Sequence, residues 1–252
     1  MLEYFEGTVF NAPVKTYVNA VNCVGVMGAG IALEFKLRFP DMYDDYVNKC
    51  KQNKLKIGKP YIYKHSSDIW IMNFPTKNHW KYPSKIEWIE KGLEYFKVNY
   101  KKWGVDSIAF PKLGTANGKL DWLEVRVMME KYLKDLDIDV YICLDEKEEA
   151  EGIEKIMIDS INDSSIDYLV NNVKINRRQA QAVSSNLPMD RFWHISKIKG
   201  IGIKTYEKLF SYYYGKALEL KGKKELPAKI NTYEQLTFIN GGNCIINFFN
   251  QG

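Results

Sequence analysis

The sequence contains few of the residues from which metal sites and disulfide scaffolds are built. It has three histidines and four cysteines among 252 residues. No two cysteines form a Cys-x-x-Cys pair, and no group of histidine, cysteine and acidic residues has metal-ligand spacing. We therefore predict no metal site, no cofactor and no disulfide framework, with reduced thiols in a cytoplasmic protein. The cysteines are Cys23, Cys50, Cys143 and Cys244.

Long apolar runs are also absent. No uninterrupted apolar stretch approaches the ~20 residues of a membrane-spanning helix, and no basic segment followed by an apolar one opens the chain. Hydrophobic residues at 46% and charged residues at 27% are typical of a globular protein. We expect neither secretion nor membrane insertion.

Basic residues are concentrated in the second part of the chain. The net charge of the whole chain is +5. Between Lys174 and Lys229 there are 13 basic and 4 acidic residues. Because such an excess attracts negative charge, it predicts a polyanionic partner for the C-terminal part.

Strand-like and helix-like patterns alternate through residues 1–144, which predicts an α/β layer architecture. The predicted strands are residues 4–10, 17–22, 60–64, 69–74, 107–110 and 138–144, and the predicted helices are residues 30–39, 41–50, 84–102 (with Ser84 as N-cap) and 121–136. An acidic connector at residues 145–149 separates a domain of residues 1–147 from one of residues 148–252. The second domain is predicted to be smaller and mainly helical, with an apolar strand or packed segment at residues 238–249.

Three segments that follow predicted strands carry polar residues or glycines. The first segment is residues 18–36 with Gly28-Ala29-Gly30, the second is residues 73–80 with Asn-Phe-Pro-Thr-Lys-Asn-His-Trp, and the third is residues 111–122 with Gly114 and Gly118. Open α/β sheets bind ligands at the carboxyl ends of their strands. Glycine loops at helix N-termini bind phosphate through free N–H groups. The three segments together predict a diphosphate-binding crevice.

These segments resemble the macrodomain family, the ADP-ribose-binding fold, and within it the branch of DarG antitoxins. The resemblance extends over most of residues 1–144. It implies a three-layer α/β/α fold with a central mixed sheet. It also implies an ADP-ribosyl glycohydrolase that removes ADP-ribose from thymidine in DNA modified by a DarT-type toxin. ADP-ribosylated DNA and the toxin would then be partners, and ADP-ribose would be ligand and product.

The resemblance implies roles for individual residues. Asn22 would orient the distal ribose, whose anomeric carbon carries the base, and Lys77 would be catalytic. A neutral amine at Lys77 would attack the opened sugar, whereas a charged ammonium would stabilise the departing base. The two routes require opposite protonation states of the side chain. The backbone around Met27, Gly28, Gly30 and Ile31 would hold one phosphate, and the loop of Gly114, Thr115, Ala116, Asn117 and Gly118 would hold the other.

Two positions depart from the family pattern. Gly118 stands where related hydrolases of this branch have an aspartate, and the nearest acid, Asp121, is predicted to cap a helix. Ala116 stands in place of a loop glycine. Its Cβ restricts the backbone, so the geometry of the loop and its affinity for ligand are open at this point.

Two further residues near the crevice have ordinary explanations. Cys23 is predicted to be a small buried residue rather than a nucleophile, because no base can be placed beside it. His79 either contacts the ligand or packs against Trp80.

Residues 198–209 resemble the hairpin of a helix-hairpin-helix module, in which a Gly-x-Gly turn binds the DNA backbone without reading sequence. The predicted contacts with duplex or single-stranded DNA are Lys199, Gly200, Gly202, Lys204 and Thr205. A turn between helices with a solvated basic face explains the pattern as well. The antitoxin resemblance instead predicts that this part binds the toxin.

Two alternatives to an enzyme remain open from the sequence. The Thr115-Ala116 departure is compatible with a protein that binds ADP-ribose without hydrolysing its conjugates. The third possibility is an antitoxin that acts mainly by binding the toxin through its C-terminal part.

Overall fold

The computed structural model describes residues 1–225, with side chains to residue 222. Cys244 and the apolar segment at residues 238–249 lie outside the described residues. The strands are β1 (Leu2–Phe5), β2 (Thr16–Asn22), β3 (Tyr61–Lys64), β4 (Trp70–Lys77), β5 (Ser107–Pro111) and β6 (Asp139–Cys143). The helices are α1 (Gly30–Arg38), α2 (Pro40–Lys51), α3 (Ile86–Trp103), α4 (Trp122–Leu133), α5 (Gly152–Asn162), α6 (Ile166–Tyr168), α7 (Arg177–Ser184) and α8 (Ile203–Glu225). No helix within residues 1–225 combines the length and apolar character needed to cross a membrane.

The six strands form one mixed sheet in the order β1-β6-β5-β2-β4-β3. All neighbouring strands are parallel except β3, which runs antiparallel to β4. Helices α3 and α4 cover one face and α1 and α2 cover the other. In β4, Met72 and Phe74 pack on the first face and Ile71 on the second, because successive strand residues point to opposite sides. The predicted three-layer α/β/α fold is confirmed.

Two strands end at least three residues from the predicted position. Strand β1 stops at Phe5, opposite Cys143, because its regular ladder with β6 ends there, although the Asp145 and Glu146 N–H groups still donate to the Gly7 and Glu6 carbonyls. Val9–Asn11 forms a 3₁₀ turn instead. Strand β4 continues to Lys77, since it lies between β2 and β3 and its last residue pairs with Asn22. The second segment is therefore strand as far as its lysine, rather than loop.

One predicted helix cap is confirmed and one is wrong. The carboxylate of Asp121 accepts a hydrogen bond from the Glu124 N–H at 3.1 Å and caps α4. Ser84 does not cap α3, which begins at Ile86. The Ser84 N–H instead donates to the Gly118 carbonyl at 2.9 Å. This bond holds Ser84 against the third segment, so it does not occupy the cap position. Its hydroxyl is buried without a partner.

Residues 152–222, the helical part, have a hydrophobic core of their own that includes Met157, Leu169 and Tyr213. This core also takes in Leu33 of α1. Beside it, Lys36 of α1 forms an ion pair with Glu207 of α8 at 2.6 Å. The helical part therefore packs on the helix that follows the first glycine loop.

Candidate active site

The three segments singled out in the sequence meet at one edge of the sheet. Strands β2, β4 and β5 are parallel, so their carboxyl ends lie together. Asn22 ends β2 and pairs with Lys77 at the end of β4, while β5 ends at Pro111. This arrangement places the candidate residues at the position where α/β sheets bind ligands.

The side chain of Asn22 holds the first loop in place. It is 7% exposed. Its Nδ2 donates to the Val26 carbonyl at 2.5 Å, and its Oδ1 accepts from the Val24 N–H at 3.0 Å. The Tyr46 hydroxyl donates to the Asn22 carbonyl at 2.8 Å and lies 3.0 Å from Oδ1. The structure thus gives Asn22 a loop-shaping role, and its contact with a ribose stays a prediction.

The loop leads into α1 with exposed backbone at Gly28, Ala29 and Gly30. Gly30 has a φ of 57°, which a glycine adopts without strain. Ala29 is the N-cap and its side chain cannot accept a hydrogen bond, so the first N–H groups of the helix have no side-chain cap. Free N–H groups and the helix dipole favour an anion here. Met27 is 2% exposed and packs in the core on this face of the sheet, so its contact with a phosphate stays a prediction.

The third segment forms a closed turn. The Leu120 N–H donates to the Gly114 carbonyl and the Lys119 N–H to the Thr115 carbonyl, each at 3.1 Å. Positive φ values in this turn fall on Gly114 (70°) and Lys119 (64°), and not on Ala116. Ala116 is exposed, and its backbone is not in the left-handed region. Its Cβ therefore causes no backbone strain.

Gly118 has no room for a side chain. A Cβ there would lie 2.1 Å from the Gly114 carbonyl oxygen and 2.5 Å from the Ser84 hydroxyl. No larger residue, an aspartate included, therefore fits the present turn at this position.

Asn117 joins the three segments. Lys77 Nζ donates a hydrogen bond to the Asn117 carbonyl. A Cβ built on Gly30 would lie 2.9 Å from Asn117 Nδ2, which shows how closely the third segment approaches the first. The side chain of the catalytic candidate thus contacts the third segment, and Asn117 brings that segment close to the first.

The electrostatic surroundings favour loss of a proton from Lys77. Partial burial lowers the pKa of its ammonium below the ordinary value of 10.5, and the positive charge of Lys119 lowers the pKa further. Lys119 was missed as a member of the site, although its position directly after Gly118 is visible in the sequence.

The structure also shows the surroundings of His79 and Cys23. The His79 ring stacks on Trp80, with centroids 5.5 Å apart, which is the packing alternative given for it above. Burial raises the pKa of the Cys23 thiol to about 11, so this thiol stays protonated at neutral pH.

The basic turn of the helical part joins a 3₁₀ helix (Phe192–Lys197) to α8. Gly200 has a φ of 93°, and Lys199, Gly200, Gly202 and Lys204 are exposed. The Thr205 hydroxyl accepts a hydrogen bond from Gln179 Nε2 at 2.9 Å. Contact of this turn with DNA stays a prediction.

The fold and the converging loops define a protein of the macrodomain class. A family model described as "Macro domain" matches residues 18–129. The structure titled "Macrodomain of Thermus aquaticus DarG" is 40% identical with a TM-score of 0.55, and the match covers 57% of this chain and 98% of that one. The chain belongs to the macrodomain family.

Two curated relatives extend the comparison. The DNA ADP-ribosyl glycohydrolase of Thermus aquaticus is 41% identical over 146 residues, which are 56% of this chain and 41% of that protein. The DNA ADP-ribosyl transferase-DNA ADP-ribosyl glycohydrolase fusion protein of Thermosipho africanus is 38% identical over 180 residues, 63% of this chain and 46% of the relative. The chain thus spans less than half the length of these curated relatives.

Proposed function

We propose that residues 1–147 hydrolyse the bond between ADP-ribose and a DNA base, with thymidine as the modified nucleoside. This reaction would reverse the modification made by a DarT-type toxin. The Thermus and Thermosipho relatives are both named as DNA ADP-ribosyl glycohydrolases, which supports the reaction class. The Thermosipho protein is named as a fusion of that activity with a DNA ADP-ribosyl transferase. The observation that carries the proposal is the position of Lys77 Nζ against the Asn117 carbonyl, in the turn that approaches the first glycine loop.

The geometry suits a bound diphosphate with the scissile bond beside Lys77. The uncapped start of α1 would hold one phosphate and the backbone of the Gly114–Gly118 turn the other. Asn22 keeps the first loop in the shape that this requires. The distal ribose and its base then extend towards the end of β4, where Lys77 lies.

The proposal is tested with an oligonucleotide that carries ADP-ribosylated thymidine. The wild type should release ADP-ribose, and Lys77→Ala should lower the rate at least about a hundredfold, the size expected for loss of a group acting on the transition state. Lys64→Ala is the matched control, because this exposed lysine ends β3 opposite Trp70, at the far edge of the sheet. Equal rates for wild type and Lys77→Ala would refute the catalytic role.

The two chemical routes for Lys77 are separated by Lys77→Arg and by pH. A guanidinium keeps the positive charge but cannot attack the sugar. Since the pKa of Lys77 is lowered, an attacking amine makes the rate rise with pH and level off below 10.5. A stabilising ammonium makes the rate fall over the same range and leaves Lys77→Arg partly active.

A reader of ADP-ribose is the second candidate function. It is favoured by Thr115-Ala116, which stands in the third segment where the family has a glycine loop. Calorimetry that shows tight binding of ADP-ribose, with no hydrolysis of DNA or protein conjugates, would support the reader over the enzyme.

We propose further that the helical part engages the DNA backbone through its exposed basic turn. Affinity for plain duplex DNA should then fall steeply with salt and fall further in the Lys199→Glu/Lys204→Glu double variant. Lys101→Glu/Lys102→Glu, at the end of α3, is the charge-matched control. Binding of a DarT-type toxin by this part, with no affinity for DNA, would overturn the DNA proposal and support the antitoxin alternative.

A further inference from the structure

Two exposed aromatic rings and one half-buried ring follow Lys77 in the chain and have no role in the function proposed above. Trp80 is 49% exposed and Tyr82 is 64% exposed. The His79 ring stacks on Trp80 at an interplanar angle of 28°, and its centroid is 5.7 Å from that of Tyr82. We call His79, Trp80 and Tyr82 the aromatic platform. Clustered exposed rings mark a contact surface, because single apolar side chains are common on protein surfaces and groups of them are not.

The backbone fixes the platform next to the crevice. On one side of it, the Asn78 carbonyl accepts from the Cys23 N–H of the first loop at 3.3 Å. On the other side, the Ser84 N–H donates to the Gly118 carbonyl of the third segment at 2.9 Å. Within it, the Tyr82 N–H donates to the His79 carbonyl at 3.2 Å. The rings therefore border the place where a macromolecule attached to ADP-ribose would leave the site.

The charge around the platform is positive. Lys77, Lys81 and Lys85 lie in residues 77–86, which contain no acidic residue. None of the ion pairs among the described side chains involves these three lysines. Lys81 Nζ lies 5.4 Å from the centroid of the Trp80 ring. The surface thus combines flat apolar faces with unpaired positive charge.

We propose that the aromatic platform stacks unpaired bases of single-stranded DNA that flank the ADP-ribosylated nucleotide, while Lys81 and Lys85 meet the neighbouring phosphates. This proposal rests on the proposed function. Proteins bind single strands through aromatic stacking beside basic residues, and stacking needs base faces that are free. In a duplex those faces are covered by neighbouring bases. A peptide would supply neither regularly spaced phosphates nor a row of planar rings.

The first test measures binding of an unmodified short oligodeoxythymidylate by fluorescence anisotropy. Base–aromatic stacking predicts that Trp80→Ala weakens binding about tenfold and that Trp80→Phe restores most of it. Tyr82→Ala should also weaken binding. Tyr4→Ala is the matched control, because Tyr4 is 45% exposed on edge strand β1, at the other end of the strand order from β3. The assay is run at about 0.2 M salt, where phosphate contacts elsewhere are weakened.

The second test compares hydrolysis of ADP-ribosylated thymidine in an oligonucleotide and as the free nucleoside. Trp80→Ala should lower kcat/KM about tenfold on the oligonucleotide and leave it unchanged on the nucleoside. Equal losses on both substrates would overturn the platform, as would wild-type affinity of Trp80→Ala for the oligodeoxythymidylate. If the wild type hydrolyses neither substrate, the proposed function fails, and the binding test still decides the platform independently.

Discussion

Polar groups are used in opposite ways at the candidate site and at the contact between the sheet and the helical part. At the site, the N–H groups that open α1 have no side-chain cap, and Lys77 Nζ donates to a backbone carbonyl. At the contact, the guanidinium of Arg191 binds Asp145 at 2.8 Å and Glu154 at 3.2 Å. Glu154 also accepts from the Phe192 N–H at 2.8 Å. Polar groups are left open at the candidate site, whereas at the contact they are paired, across it by Arg191 with Asp145 and inside the helical part by Arg191 with Glu154.

The largest loss of stability is expected at the contact with the helical part, where Arg191 is paired with two carboxylates. Arg191→Ala leaves Glu154, which is 8% exposed, without its partner. We expect the free energy of unfolding to fall by about 3–5 kcal/mol, the cost of an unpaired buried charge. Arg177→Ala removes an exposed pair with Asp167 and should cost under about 0.5 kcal/mol. Urea denaturation compares the two, and equal losses would contradict the contrast.

Two glycine variants test the site, and the expected effects are of intermediate size. Gly118→Ala forces a Cβ against the Gly114 carbonyl, so it should destabilise the protein by about 1–3 kcal/mol and abolish ADP-ribose binding. Gly202→Ala is the matched variant, because a Cβ there would meet nothing within 4 Å and the residue lies in the helical part. Thermal unfolding measures the change in stability, and calorimetry with ADP-ribose measures the change in binding. Unimpaired binding by Gly118→Ala would show that the third segment is not part of the site.

The smallest effect concerns the support of the first loop. Tyr46→Phe removes the hydrogen bond to Asn22, which should cost about 0.5–1.5 kcal/mol of stability and weaken ADP-ribose binding several-fold. Tyr43→Phe removes only a 3.4 Å contact with Gly25 and should change little. If Tyr46→Phe binds ADP-ribose as the wild type does, Asn22 needs no such support.

Much of this organisation follows from local patterns in the sequence. Each of the six strands was predicted at least in part, and the inner ones have the clearest pattern, as with Ile71 and Met72 buried on opposite sides of β4. The glycine loops were also found, since they follow strands whose carboxyl ends must meet, whereas Lys77 was singled out by the family resemblance.

What escaped prediction depends on contacts between distant residues. The ends of β1 and β4 are set by their neighbours in the sheet. Ser84 fails as a cap because Gly118 binds its N–H, and Tyr46 supports Asn22 across 24 positions of sequence. No local pattern encodes such pairs.

A crystal structure of the protein with ADP-ribose bound would test the account most directly. We expect the diphosphate between the N–H groups that open α1 and the Gly114–Gly118 turn, and the anomeric carbon of the distal ribose within contact of Lys77 Nζ. ADP-ribose bound away from this edge of the sheet, or with its adenine rather than its distal ribose at Lys77, would contradict it.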